Sequence, residues 1–241
     1  MIIVMPMAGR ASKFKEAGYA LPKPLIDICG KPMVKWATDS VPFITGHKMI
    51  FILLKEHIDQ FGLDKKLKEM YPGKITIIEI DRVTGGAACT VLHAKEILNK
   101  DEDLIVYNTD QYFRAPVETA IKFRGPEING IIPVFQAINP RWSFVKADRH
   151  GFVTEAAEKI PISSNATVGL YYFSSGKDFV WAAEEMIRKN IRRSNEFYIC
   201  PVYNELIAAG QKIKMLESEF MWGLGSPEDV LKFIEYYKDS P

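Results

Sequence analysis

The 241-residue sequence predicts an α/β fold, a mixed and mainly parallel central sheet sandwiched between helices, with a small β-rich insertion in its second half. Three observations carry this. Short aliphatic runs alternate with helical stretches through the first half, the rhythm of strands joined by helical crossovers. Those runs are nearly continuous rather than alternating, as expected of strands covered on both faces. Beyond about residue 128 the rhythm changes to strand-like segments parted by turn residues, with little helical periodicity.

Taken in order, the first strand is read at Ile2 to Met5, followed by a loop of small residues and then a helix over about Pro32 to Val41. Further strands fall at Met49 to Leu54, Ile75 to Ile80 and Leu104 to Tyr107, with helices at about His57 to Tyr71 and Ala87 to Asn99 between them. From Asn129 to Phe173, the turn signals Asn139-Pro140, Asp148-Arg149-His150-Gly151 and Ser163-Ser164-Asn165 separate β segments, a pattern of hairpins. A helix at about Ser175 to Asn190 places Phe179, Ala182, Ala183, Met186 and Ile187 on one face. The last helix has the strongest start: Ser226 as N-cap, Pro227 in the first helical position, and Glu228 and Asp229 at the positive end of the dipole. No repeat, low-complexity segment or linker divides the chain, so a single domain over residues 1–241 is the simplest partition.

Composition excludes several functions. With 47% hydrophobic and 25% charged residues the chain can bury a full core. Its net charge of +1 gives no reason to expect nucleic acid as a partner. The longest apolar run, Met49 to Leu54, falls far short of the roughly 18 residues that cross a bilayer, so no membrane association is expected. The N-terminal residues lack the basic start and long apolar stretch of a secretory signal, and the expected location is the cytoplasm. Cys29, Cys89 and Cys200 are odd in number and widely spaced, suggesting neither disulfides nor a zinc site. His47, His57, His93 and His150 show no metal-ligand spacing, and no G-x-S-x-G announces a hydrolase.

The chemistry-bearing stretches begin with Met7-Ala8-Gly9-Arg10-Ala11-Ser12-Lys13, directly after a buried strand. Small residues let backbone N–H groups approach a ligand and Arg10 and Lys13 add positive charge, so the loop reads as an anion cradle. It is neither a dinucleotide fingerprint nor a Walker A loop, and alone it is equally a strand-to-helix turn with solvated charges. Downstream, Lys23 stands between Pro22 and Pro24, so its ammonium is aimed by a stiff backbone at little ordering cost. Taken alone, Pro-Lys-Pro is more often a rigid surface turn.

Together with Leu25 and Gly30-Lys31-Pro32-Met33, these residues resemble the nucleotidyltransferases that couple NTPs to sugar 1-phosphates. The resemblance implies a Rossmann-like three-layer sandwich of the GT-A-like type, with a nucleotide-binding half over about 1–125 and an acceptor-binding half over about 126–241. It continues along nearly the whole chain. Thr84-Gly85-Gly86-Ala87 resembles the family's base-binding loop, Asn108-Thr109-Asp110 its acidic Mg²⁺ motif, and Glu158-Lys159-Ile160-Pro161 its sugar-phosphate segment. Ala166 to Tyr171, with Gly169 leaving room for the acceptor, and Asn195-Glu196-Phe197-Tyr198 match its acceptor strand and acidic acceptor segment. Read without the family, a glycine turn, a capping Asp and a strand-end charge pair explain the same residues.

The resemblance implies that Lys23 holds the α-phosphate and acceptor phosphate, and that Arg10 and Lys13 hold the β and γ phosphates. Met7, Ala8, Gly9, Gly85, Gly86 and Ala87 would line the nucleotide; Glu158, Lys159, Gly169 and Glu196 the acceptor; and Asp110 would bind Mg²⁺ as cofactor. The substrates implied are an NTP and a phosphorylated small molecule, with a homo-oligomer left open. The chain departs from the pattern in three places. Ala11 replaces a loop glycine, Lys13 replaces the family's arginine and so lacks its bidentate geometry, and Gly223 stands where a second metal-binding aspartate is usual. Trp142, beside Arg141 and Ser143, is read either as acceptor-pocket lining or as hairpin packing. Two rival readings remain at this level, a GT-A-type glycosyltransferase consuming an NDP-sugar and a non-catalytic nucleotide-binding homologue.

Overall fold

Four aliphatic runs, Ile2–Met7, Lys48–Leu54, Ile75–Ile80 and Leu104–Tyr107, pair in parallel in a computed structural model describing residues 1–73 and 75–239. Ile2–Met7 lies between Lys48–Leu54 and Leu104–Tyr107, with Ile75–Ile80 beyond the former. The chain therefore leaves the first strand toward one edge and later returns to its other side. This is a topological switch point, where the loops at the strands' carboxyl ends splay apart and leave a crevice.

The same sheet continues past Leu104–Tyr107 through Leu170–Phe173, Ile128–Gln136, Asn165–Thr167, Ser143–Ala147 and Val153–Glu158, all in antiparallel pairs. A tenth strand, Lys212–Glu217, runs parallel to Ile128–Gln136. The stretch expected as a β insertion is thus the continuation of the central sheet, with the hairpin of Ser143–Ala147 and Val153–Glu158 at its margin. Two small ribbons lie outside it, Asp27–Ile28 with Lys31–Pro32 and Gln111–Arg114 with Phe220–Gly223.

Alternation along the strands sorts the core into two layers. Ile2, Val4, Ile50, Ile52 and Leu54 pack on one face, whereas Ile3, Met5, Met49, Phe51 and Leu53 pack on the other, and all are buried. A third cluster places Phe14, Ile28, Trp36 and Leu224 against Val230 and Phe233 of the final helix Pro227–Asp239. That cluster ties the N-terminal loop region to the C-terminal helix, which brings both to one rim of the sheet.

Local details amend the element boundaries. The first strand runs on through Pro6 to Met7. Past Val4 its pairing with Leu104–Tyr107 has ended, so the proline's missing N–H interrupts no ladder on that side. The expected helix over His57 to Tyr71 is two helices, Lys55–Phe61 and Leu63–Met70, broken where Gly62 turns left-handed at φ 61°. Ala87 to Asn99 is helical in three short pieces rather than one. Gly176–Arg188 and Pro227–Asp239 begin at the expected serines: Ser175 Oγ accepts from the N–H of Asp178, and Ser226 Oγ from that of Asp229, each at 3.3 Å.

Candidate active site

The crevice at the switch point is built from the loop after Ile2–Met7 and the loop after Leu104–Tyr107. Pro22, in extended conformation, leads into a 3₁₀ turn over Lys23–Leu25, which fixes the direction in which Lys23 leaves the backbone. Its ammonium donates to Asp110 Oδ2 at 2.5 Å, joining residues 87 positions apart. Asp110 is held from the other side, its carbonyl accepting from the N–H of Leu224 at 2.7 Å. Both charged side chains keep about a fifth of their surface in solvent, 24% for Lys23 and 18% for Asp110. They are a pair at the floor of an open cleft, not a core ion pair.

Two cavities meet at the carboxylate of this pair, Asp110. One, of about 370 Å³, is walled largely by small residues and backbone: Met7, Ala8, Gly9, Ala11, Gly86 and Ala87, with Lys23 and Asp110 at its inner end. The other, of about 450 Å³, has polar and charged walls that include Gln111, Arg141, Ser143, Glu158 and Asp229. Ala87, Asn108, Asp110 and Tyr198 line both. A backbone-lined slot suits a flat, uncharged ring that offers little side-chain code, whereas a wall of side chains suits a polyhydroxylated or charged ligand. A phosphate spanning the two would lie against these four, the residues common to both among those described.

Two glycines allow this geometry. Gly86 has φ 128°, and a Cβ there would lie 2.5 Å from the backbone N and O of Phe197, so the slot's floor requires the bare backbone. Gly169, at φ 80°, would drive a Cβ to 2.7 Å from Gln111 Oε1 and 2.9 Å from Asn108 Nδ2; its absence lets both amides face the cavity.

Electrostatics differ between the two sides. Glu158 is buried at the larger cavity, and burial raises its carboxyl above the ordinary range, an effect partly offset by a hydrogen bond from Ser143 Oγ and by the charge of Lys159. Lys159, at φ 54°, directs its ammonium to Tyr198 Oη at 2.5 Å, and Tyr198 donates in turn to Glu196. Lys159 and Glu196 are thus drawn together by Tyr198 at the edge shared by the two cavities.

The sequence-derived residues divide accordingly. Lys23, Asp110, Met7, Ala8, Gly9, Gly86, Ala87 and Glu196 line the smaller cavity, and Glu158 and Gly169 the larger. Lys13 lines the larger cavity rather than the smaller. Arg10 lines neither and is 64% exposed, its Nε 3.9 Å from Glu56 Oε1. Gly85 borders a separate surface depression with Cys89 and His93. Lys159 reaches the site only through Tyr198. Trp142, with Arg141 and Ser143, does line the larger cavity.

Sequence reasoning gave no role to Asn108 or Tyr198, although both lie within the motifs it used. Asn108 stands immediately after a strand end, where ligands gather in such sheets, and that position is its signal. Asp229 was read only as a dipole partner, whereas its carboxylate also holds Arg141 at 2.7 Å.

Asp110 is the carboxylate at the cleft that could hold a divalent ion, and no cluster of three or more His, Cys, Asp or Glu able to hold one exists among the described residues. A single carboxylate fits Mg²⁺, which commonly takes the rest of its shell from phosphate oxygens and water.

Residues 3–240 match the family model described as nucleotidyl transferase. The chain is 26% identical to the bifunctional protein GlmU of Methanocaldococcus jannaschii over 99% of its own length and 55% of that protein. It is 24% identical to the low-salt glycan biosynthesis nucleotidyltransferase Agl11 of Haloferax volcanii, over 95% of this chain and 64% of that one. It therefore spans between half and two thirds of the length of these curated relatives. A nucleoside-diphosphate-sugar pyrophosphorylase from Vibrio cholerae superposes with a TM-score of 0.82 at 27% identity, covering 97% of this chain and 99% of that chain.

Proposed function

This chain belongs to the nucleotidyl transferase family, and on that premise we propose that it transfers a nucleoside monophosphate from an NTP to a phosphorylated small molecule, of which sugar 1-phosphates are the leading class. The products are pyrophosphate and an NDP-sugar or similarly activated compound. The observation that carries the proposal is the Lys23–Asp110 pair at the meeting point of a backbone-lined slot and a polar cavity.

In this reading the nucleoside lies in the slot over Gly86 and Ala87, and the acceptor occupies the larger cavity, with Glu158 accepting from its hydroxyls. An oxygen of the acceptor phosphate attacks the α-phosphorus in line, a new P–O bond forms, and the bond to the β-phosphate oxygen breaks to release pyrophosphate. The attacking oxygen is already anionic, so no general base is needed. Acceleration comes from alignment and charge neutralisation. Lys23 bridges the α-phosphate and the attacking phosphate, whereas Lys13 lines the acceptor cavity and Arg10 neither cavity, so the β and γ phosphates meet them only if these side chains move. Asp110 is the residue that would hold Mg²⁺, which supplies further neutralisation of phosphate charge when bound.

The test is a screen for Mg²⁺-dependent pyrophosphate release with each common NTP against a panel of phosphorylated acceptors. Release that requires both substrates supports the proposal. A glycosyltransferase would release none, and a non-catalytic homologue would bind nucleotide without turnover.

A further inference from the structure

One wall of the larger cavity is built differently from the pattern the family resemblance implies. Gly223 stands at the position of the expected second aspartate, and a Cβ there would lie 2.5 Å from Cη2 of Trp142. The missing side chain is the notch that seats the indole. Trp142 also packs edge-on against Phe135, with centroids 5.4 Å apart. The guanidinium of Arg141 then lies 4.2 Å from the indole centroid. Arg141 Nη1 donates to Asp229 Oδ1 at 2.7 Å, and Ser226 Oγ fixes the other oxygen of Asp229 at 2.9 Å. The guanidinium is therefore held from two directions at the cavity wall, with its Nε and Nη2 donors not engaged by any described residue.

The surrounding charges give this arrangement a sign. Three of the carboxylates that line the cavity are already engaged: Asp110 by Lys23, Glu158 by Ser143, and Asp229 by Arg141. Lys13 and Lys232 line the same cavity without a carboxylate within ion-pairing distance among the described residues, although both lower the pKa of nearby Glu228 through space. Lys13, Lys232 and the Nε and Nη2 donors of Arg141 thus face the cavity beside Glu228, a carboxylate outside any ion pair among the described residues. Arg141 keeps 47% of its side chain in solvent, so water serves these donors until a ligand covers them, and an anionic group placed there replaces that water with a charge-assisted pair.

We propose that the acceptor carries, besides its reacting phosphate, a second anionic group of the carboxylate type, and that Arg141 is the specificity-determining residue that binds it. Gly223 and Trp142 position the guanidinium, and Asp229 orients it. This deepens the nucleotidyl transfer reading and rests on it.

The experiment compares acceptors matched except for a carboxylate, glucose 1-phosphate against glucuronic acid 1-phosphate and glycerol 3-phosphate against 3-phosphoglycerate, in wild type and Arg141→Gln. Pyrophosphate release is followed with each common NTP. The expected result is a preference of about tenfold or more in kcat/KM for the carboxylated member of at least one pair. Arg141→Gln should abolish it by raising the acceptor KM while the KM for NTP stays within about twofold. Gly223→Ala, which displaces the indole rather than the guanidinium, should reduce the same preference without removing it. Equal turnover of matched pairs, preference for the members without a carboxylate, or a carboxylate preference that survives Arg141→Gln overturns the assignment while leaving nucleotidyl transfer standing. Absence of pyrophosphate release with every NTP and every acceptor, sugar 1-phosphates included, overturns both.

Discussion

Replacing Lys23 by alanine removes the ammonium that meets Asp110 at 2.5 Å where the two cavities join. Its backbone is held by the flanking prolines and the 3₁₀ turn, and its side chain meets the core only at its tip, 5.9 Å over the ring of Phe14, so the fold should survive. The cost is to be sought in the transition state. Charge accumulates there on the oxygens around the α-phosphorus, and a positioned donor to such charge supplies about 3 to 4 kcal/mol, or on the order of 10² to 10³ in rate. Asp110, freed of its ammonium, should meanwhile attract a divalent ion more strongly. The expected signature is therefore split: kcat for pyrophosphate release falls at least about 100-fold, while the Mg²⁺ concentration for half-maximal rate falls too. A variant with turnover within about threefold of wild type, or one needing more metal rather than less, would refute the reasoning.

Further consequences are open to measurement. Gly86→Ala forces a Cβ to 2.5 Å from Phe197 backbone atoms at φ 128°, a strain of about 1–3 kcal/mol. It should raise the KM for NTP about tenfold while sparing the KM of the acceptor, and an unchanged nucleotide KM would contradict a backbone-lined slot. Burial raises the Glu158 carboxyl above its ordinary 4.5. The unfolded chain then loses this proton at lower pH than the native state, so its contribution to stability declines as pH rises from about 4.5 through the raised value. Glu158→Gln should gain in Tm relative to wild type across that window, and a difference constant from pH 4 to 7 would exclude the effect. Phe233 is fully buried and meets Trp36 and Trp222 edge-on, at 4.9 and 5.8 Å. Phe233→Ala should cost about 3–5 kcal/mol in urea denaturation, and a loss under 1 kcal/mol would mean that the third cluster does not hold the last helix in place.

The parallel half of the sheet was legible because strands covered on both faces leave unbroken aliphatic runs, as in Met49 to Leu54. The break at Gly62 was not, since an amphipathic pattern continues across it and only the left-handed φ of 61° reveals it. Lys212–Glu217 reads as half polar because it is laddered only to Ile128–Gln136, with a single bridge from Lys214 to Phe152 on its other side, and the ribbon of Gln111–Arg114 with Phe220–Gly223 depends on partners over a hundred residues apart. In the site, motif-borne residues such as Lys23 and Asp110 could be singled out because stiff backbones and strand ends announce them. Arg141 could not be given a role in this way: its position depends on Trp142 filling a space that exists only because residue 223 is glycine, a relation invisible until the chain folds.

The most direct trial is a crystal structure with Mg²⁺ and an NTP analogue that resists cleavage between the α and β phosphates. The account predicts the Lys23–Asp110 contact opened, with Lys23 Nζ at hydrogen-bond distance, about 3 Å, from an α-phosphate oxygen and the metal on Asp110. A nucleotide bound outside the smaller cavity, or bound there with the ammonium and carboxylate still paired, would contradict it.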